Sequence, residues 1–251
     1  MCQYSHVGVL ERGDRLAALH ALREHREDLS RELLDLGIGG PGSDVHPRTI
    51  AMKAYDREYY RRWYQDPKTR IATRTEVERK ARLAVAAAEF LLGRPIESVL
   101  DIGCGEGTWR AAVRRLRPDA TWLGVESSEY VIAKYGKSRN IRRGDFGSLP
   151  SLKLRGPFDL IVCADVVQYI GDDDLRRGLR EIRRLAGGVI YIETFAAEDS
   201  MVGDREGWID RPARTISRFF KEAGLTHCGF YCWIDERKIR NANRFERASG
   251  L

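Results

Sequence analysis

The chain has 251 residues, 43% of them apolar and 32% charged, with a formal net charge of +6 and an isoelectric point near 9.1. Such a length and balance suit one α/β domain with a sizeable core and a short appendage. No stretch reaches the ~18 consecutive apolar residues of a membrane-spanning helix, and the opening "MCQYSHVGVLERGD" lacks the basic-then-apolar layout of a secretory signal, so the cytoplasm is the expected address.

Residues 14 to 36 place Leu16, Leu19, Leu22, Leu29, Leu33 and Leu36 at mostly helical spacing between charges, the pattern of an amphipathic helix. The glycines and prolines of "GIGGPGSDVHP" (37 to 47) end it in a linker. Residues 1 to 50 are therefore expected to form a helical arm separate from a domain over 51 to 251. The arm is free to pack on that domain or to join two copies as a homodimer. Next, Tyr55, Tyr59 and Trp63 stand four apart, as do Tyr60 and Tyr64, which predicts an aromatic helix face stopped by Pro67. A second helix is predicted to start at a capping box of Thr75 and Glu78. Its apolar face runs through Val77, Ala81, Leu83 and Val85, and Gly93 ends it.

Val99, Leu100 and Ile102 predict a short strand buried on both faces. Gly103, Gly105 and Gly107 then lead into a helix with Ala111, Ala112, Val113 and Leu116 on its apolar side. Beyond it, strands are predicted at 121 to 126, 141 to 145, 158 to 165, 188 to 194 and 225 to 234. Helices are predicted near 129 to 137, 173 to 186 and 213 to 223. Alternation of this kind implies a mostly parallel, Rossmann-like sheet with helices on both faces and ligands at the carboxyl ends of its strands. Residues 243 to 249 are assigned as a seventh, antiparallel edge strand. Five cysteines (Cys2, Cys104, Cys163, Cys228 and Cys232) make no zinc-like pair of pairs, so reduced thiols and no metal are expected. The arginines are dispersed among acids or along the polar sides of helices, which argues against a nucleic-acid partner.

The glycine turn puts free N–H groups at a strand-to-helix junction, where missing Cβ atoms allow a ligand close to the main chain. Its spacing is not G-x-G-x-x-G, and no lysine follows as in a phosphate-binding loop. Glu126 ends the second strand about 20 residues on, where a carboxylate can accept both hydroxyls of a ribose. Together "VLDIGCGEG", "GVESSE", "RRGDFGSLP" and "FDLIVCADVVQYI" resemble the successive motifs of the class I S-adenosylmethionine-dependent methyltransferases. The resemblance covers roughly residues 75 to 234. It implies that Asp101, Gly103 and Gly105, with Cys104 and Gly107 in the same turn, hold the methionine end. It gives Glu126 and the adjacent Ser127 to the ribose, and Asp145 and Phe146 to the adenine. Asp165 would lie near the methionine amine or the acceptor. Helices ahead of the first strand commonly cover the cofactor in these enzymes, which makes Tyr55 and Tyr64 candidate lid residues.

Each of these residues also has an ordinary structural reading. Asp101 is a suitable helix cap, Asp145 a suitable turn residue, and the tyrosine face a suitable piece of core. Methyl transfer from a sulfonium releases a neutral leaving group, so alignment is the main task. Proton removal is an added need for oxygen or nitrogen acceptors. Asp165, Tyr169 and Glu193 are the candidate proton acceptors near strand ends. "ADVVQY" stands where enzymes that methylate nucleobase amines carry "NPPY" or "DPPY", which points away from a DNA base and toward a small-molecule acceptor. Trp208, Phe195 and Met201, within or beside the long insert at 196 to 214, are candidates to touch it. An RNA or protein methyltransferase and a non-catalytic cofactor-binding protein are the alternatives.

Overall fold

The computed structural model describes residues 53 to 200 and 203 to 239. The expected N-terminal arm, Met201 and the proposed edge strand at 243 to 249 lie outside them. A short helix α1 (Arg57–Tyr60) passes into a single π turn (Arg61–Gln65), and α2 (Arg74–Leu92) follows. Then come β1 (Ser98–Ile102), α3 (Thr108–Leu116), β2 (Thr121–Glu126), α4 (Glu129–Arg139), β3 (Ile141–Arg143) and β4 (Phe158–Ala164). The remaining elements are α5 (Asp172–Leu185), β5 (Ala186–Glu193), α6 (Ala213–Glu222), β6 (Thr226–Gly229) and β7 (Cys232–Ile234). Seven strands form one sheet in the order β3-β2-β1-β4-β5-β7-β6. The first five strands pair in parallel, and β7 pairs antiparallel with both β5 and β6.

Side chains alternate across the sheet and divide the core in two. Val99, Leu160, Val162 and Val189 face the side covered by α2 and α3; Leu100, Ile102, Ile161, Cys163 and Ile190 face α5 and α6. Ala81, Ala84 and Ala88 are fully buried, and their small side chains let α2 lie close on the strands. Trp109 joins this core beside Tyr191, whereas Ala111 is exposed.

Several local expectations are corrected. The capping box of α2 is Thr73 with Glu76: the Glu76 N–H donates to Thr73 Oγ1 at 3.2 Å, and the Thr73 N–H to Glu76 Oε2 at 2.6 Å. Glu78 instead pairs with Arg74 and Arg115 on the surface, and Leu83 is 38% exposed. The single strand expected at 225 to 234 is a hairpin, which supplies the seventh strand from within. Its two-residue turn, Phe230 and Tyr231, has φ of 50° and 64°, a type I′ geometry usually signalled by Asn or Gly. Two aromatic residues there read as a continuing strand. Among the described residues, no helix is long and apolar enough to cross a membrane.

Candidate functional site

At the carboxyl ends of β1, β2 and β4 lies a cleft of two adjoining cavities, about 280 and 290 Å³, with Gly103, Gly105, Tyr59, Tyr64, Ala164, Asp165 and Tyr169 lining both. The smaller continues past Asp101, Cys104, Lys80 and Glu193 to the aromatic side chains of Phe195 and Trp208. The other is lined by Glu126, Ser127, Asp145, Phe146 and Tyr55. Of the turn residues and strand-end carboxylates singled out in the sequence, Gly107 alone lines neither cavity. It caps α3 with φ of +86° and packs near Arg139 and Trp122.

Gly103 has φ of +68°, and a Cβ there would stand 2.4 Å from Val166 Cγ2. Gly105 has φ of +51°, and a Cβ there would meet the Tyr60 ring at 3.3 Å. Both positions thus combine a backbone that disfavours side chains with close neighbours. The Gly103 and Cys104 N–H groups donate to the Val125 carbonyl at 2.8 and 3.2 Å, tying the turn to β2.

Two buried carboxylates flank this turn in different ways. Glu126 reaches back under it: one oxygen accepts from the Gly105 N–H at 2.8 Å, the other from the N–H groups of Ser127 and Ser128 at 2.9 and 3.0 Å. Asp101, only 2% exposed, leaves Oδ2 with no hydrogen-bond partner. Burial, reinforced by the nearby Glu126 charge, holds the Asp101 carboxyl well above the usual carboxylate range. Asp101 lines the smaller cavity, and a carboxyl there suits a ligand that brings a donor or a cation.

On the other side of Glu126, Phe146 is 1% exposed and rests against Gly178 of α5, where a Cβ would fall 2.1 Å from the ring. Asp145 is exposed and accepts from the Ser148 N–H at 2.7 Å, so it also closes its own turn. Asp165 follows β4 with φ of 62°, and its N–H donates to the Glu193 carbonyl at 3.1 Å. Its carboxylate accepts from the Gln168 side-chain amide. Burial pushes the Asp165 carboxyl up to about 6; the Gln168 hydrogen bond opposes this and the Glu193 charge adds to it. Glu193 itself pairs with Lys80 of α2 at 2.5 Å. Tyr169 donates its hydroxyl to the Asp204 carbonyl at 2.8 Å, and burial raises its pKa.

The tyrosine face is part of both core and cleft. Tyr60 is 3% exposed and packs on Tyr59, Tyr64 and Tyr130, with ring centroids 5.3 to 5.7 Å apart. The Lys53 ammonium lies over the rings of Tyr55, Tyr59 and Tyr169 at 4.3 to 5.5 Å and pairs with Asp204. Lys53, Tyr60, Lys80 and Asp204 were not apparent as site residues from sequence. Tyr60 alone carried a signal, its place beside Tyr64 on the aromatic strip.

Residues 55–244 match a family profile described as a methyltransferase domain. A curated relative, trans-aconitate 2-methyltransferase of Deinococcus radiodurans, is 34% identical over 112 residues, 42% of this chain and 41% of the relative. The match therefore spans less than half of that protein's length. Among solved structures, an S-adenosylmethionine-dependent methyltransferase from Archaeoglobus fulgidus shares the fold with a TM-score of 0.50 at 18% identity, over 67% of this chain and 73% of the other.

Proposed function

Because the chain belongs to the methyltransferase domain family, we propose that it transfers a methyl group from S-adenosylmethionine to an oxygen or nitrogen of a small molecule. The observation that carries this reading is the two-part cleft over one glycine turn. The half beside Glu126, Ser127, Asp145 and Phe146 would take the adenosine, and the half beside Asp101 the methionine and the acceptor.

The residues fit the cofactor. The Asp101 carboxylate, on the wall of the smaller cavity, would accept from the methionine ammonium, and a paired cation would return that carboxyl to its charged form. Glu126 Oε1 is filled by the Ser127 and Ser128 N–H groups, and Oε2, which holds the Gly105 N–H, retains a lone pair for a ribose hydroxyl. Arg70, on the wall of the same cavity, is a cation available to the methionine carboxylate. When bound, S-adenosylmethionine supplies an electrophilic methyl group on a sulfonium.

Alignment is then the main work of the chain, and well-oriented reactants can gain ~7–11 kcal/mol in favourable cases. Tyr55, Tyr59, Tyr60 and Tyr64 would exclude water above the turn. Asp165 is the group best placed to take a proton from an acceptor, because Glu193 is engaged by Lys80 and the Tyr169 hydroxyl by Asp204. Purified protein incubated with methyl-labelled S-adenosylmethionine and a metabolite extract tests the reading. Label is expected in a low-molecular-weight product, and cofactor binding without any transfer would replace the enzyme with a cofactor-binding protein.

A further inference from the structure

Gln168 stands in the 3-10 turn Val167–Tyr169 that follows β4, and it is only 2% exposed. Asp165, three residues earlier, takes a left-handed backbone with φ of 62°, and the turn brings the two side chains together. The Gln168 side-chain amide donates to Asp165 Oδ1. Its own oxygen accepts from the Thr194 hydroxyl at 3.4 Å, which fixes the end of the amide that meets the carboxylate. The Gln168 main-chain carbonyl accepts from the Ile209 N–H at 2.8 Å. Residues after β4, after β5 and in the insert thus hold one buried side chain in one orientation.

The second Asp165 oxygen has a different environment. Oδ2 accepts from no described donor, yet it is not sealed from solvent as Asp101 Oδ2 is, and Asp165 lines both cavities. One oxygen is therefore anchored and the other is open to the cleft. The charged groups facing this carboxylate are Glu193 of β5, Lys80 of α2 and Asp204 of the insert. Tyr55, Tyr64, Tyr169 and the Cys163 thiol also lie within its electrostatic reach. Glu193 is paired with Lys80 and Asp204 with Lys53, so much of their effect cancels. Burial disfavours the Asp165 charge most, and the Gln168 hydrogen bond is the strongest opposing influence.

We propose that Gln168 is the positioning residue of the proton acceptor: its amide anchors Asp165 Oδ1, keeps the carboxylate ionised at neutral pH and leaves Oδ2 free to meet the substrate. The role in methyl transfer rests on the function proposed above. Gln168 touches neither substrate nor cofactor in this role and acts only through Asp165. Because its carbonyl also seats Ile209, the insert and the carboxylate are set by the same residue.

The test reads the Asp165 titration directly. Full-length unliganded protein labelled with γ-¹³C-aspartate is titrated by carbon NMR, and Asp165→Asn, which suits a left-handed backbone, identifies the Asp165 resonance. Gln168→Met keeps an unbranched side chain of similar length and removes the donor. Its Asp165 midpoint is expected to rise from about 6 to about 7, as for the loss of one charge-assisted hydrogen bond, so that the ionised share at pH 7 falls from about nine-tenths to about half. Were Gln168 merely filling space, its loss would admit water and the midpoint would fall toward about 3.9. Gln168→Glu keeps the shape and serves should the methionine variant not fold. It sets a second carboxyl against Asp165, and the higher of the pair's two steps should lie above about 7. A fallen or unmoved midpoint in either variant would overturn the inference. Calorimetry with S-adenosylhomocysteine is run separately on wild type: absence of binding there would strike the proposed function while leaving the link between Gln168 and Asp165 to the titration.

Discussion

The two halves of the cleft are finished to different degrees. Around Glu126 nearly every polar atom is engaged within the chain, since that carboxylate accepts from three main-chain N–H groups and Phe146 is locked against Gly178. Around Asp101 and Trp208, buried polar atoms have no partner. A satisfied group contributes to folding and ligand binding alike. An orphaned one detracts from the fold until a ligand arrives. The contrast predicts that substitutions in the first half injure stability and affinity together, whereas those in the second separate the two.

The largest effect is expected at the turn that joins the halves. Gly105→Val puts a β-branched side chain at φ of +51° and against the Tyr60 ring. Calorimetry should detect no S-adenosylmethionine binding, while circular dichroism still reports a folded sheet. Wild-type affinity in this variant would remove the turn from the site.

Glu126→Ala comes next. Charge-assisted hydrogen bonds contribute ~1.5–3 kcal/mol each, partly recovered by water, so Kd for S-adenosylmethionine and S-adenosylhomocysteine should both rise about tenfold to a hundredfold. Because the Gly105, Ser127 and Ser128 N–H groups lose their acceptor, the unliganded protein should also unfold at lower urea. Glu126→Gln, which keeps one oxygen, should do less of each. A loss limited to the methylated cofactor would place Glu126 near the sulfonium instead of the ribose.

Asp101→Asn sharpens the opposite limb. Both ligands carry the methionine ammonium, so both should bind about tenfold more weakly without the negative charge. The unliganded variant should be at least as stable as wild type at pH 8, because the amide removes a carboxyl that burial makes costly to ionise. Equal destabilisation by Asp101→Asn and Glu126→Ala would erase the distinction between the halves.

What the sequence disclosed follows the same division. The β1 strand, its glycine turn and the carboxylates at strand ends are consecutive or regularly spaced, so local pattern found them. Pairings between distant segments left no such trace: Lys80 meets Glu193 only because α2 packs across the sheet, and Lys53 meets Asp204 only in the folded chain. The hairpin at Phe230 and Tyr231 escaped because its positive φ values fall on residues that ordinarily extend a strand. Thr75 and Glu78 satisfied the spacing of a capping box as well as Thr73 and Glu76 do, and the backbone preceding the helix decided between them.

The last test concerns Asp165, where the two halves meet. Burial raises its carboxyl to about 6, against about 3.9 in an unfolded chain. Between those values the folded state keeps a proton that the unfolded state has released, so stability falls as pH rises. The contribution is fully present below about pH 4 and is lost by pH values above about 6; a shift of about two units corresponds to at most ~3 kcal/mol. Asp235, held down to about 2 by Arg183 and Arg237 against its own burial, acts in a separate window: its contribution is present above about pH 4 and is lost as pH falls toward 2. Urea unfolding at pH 4, 5, 6 and 7 should therefore show wild type losing ~1–3 kcal/mol relative to Asp165→Asn, with most of the change between pH 4 and 6. Parallel profiles would mean that Asp165 is solvated and belongs with neither half. With S-adenosylmethionine bound, the positive sulfonium nearby should lower the Asp165 pKa and flatten the wild-type profile, whereas S-adenosylhomocysteine, without that charge, should leave most of the slope in place.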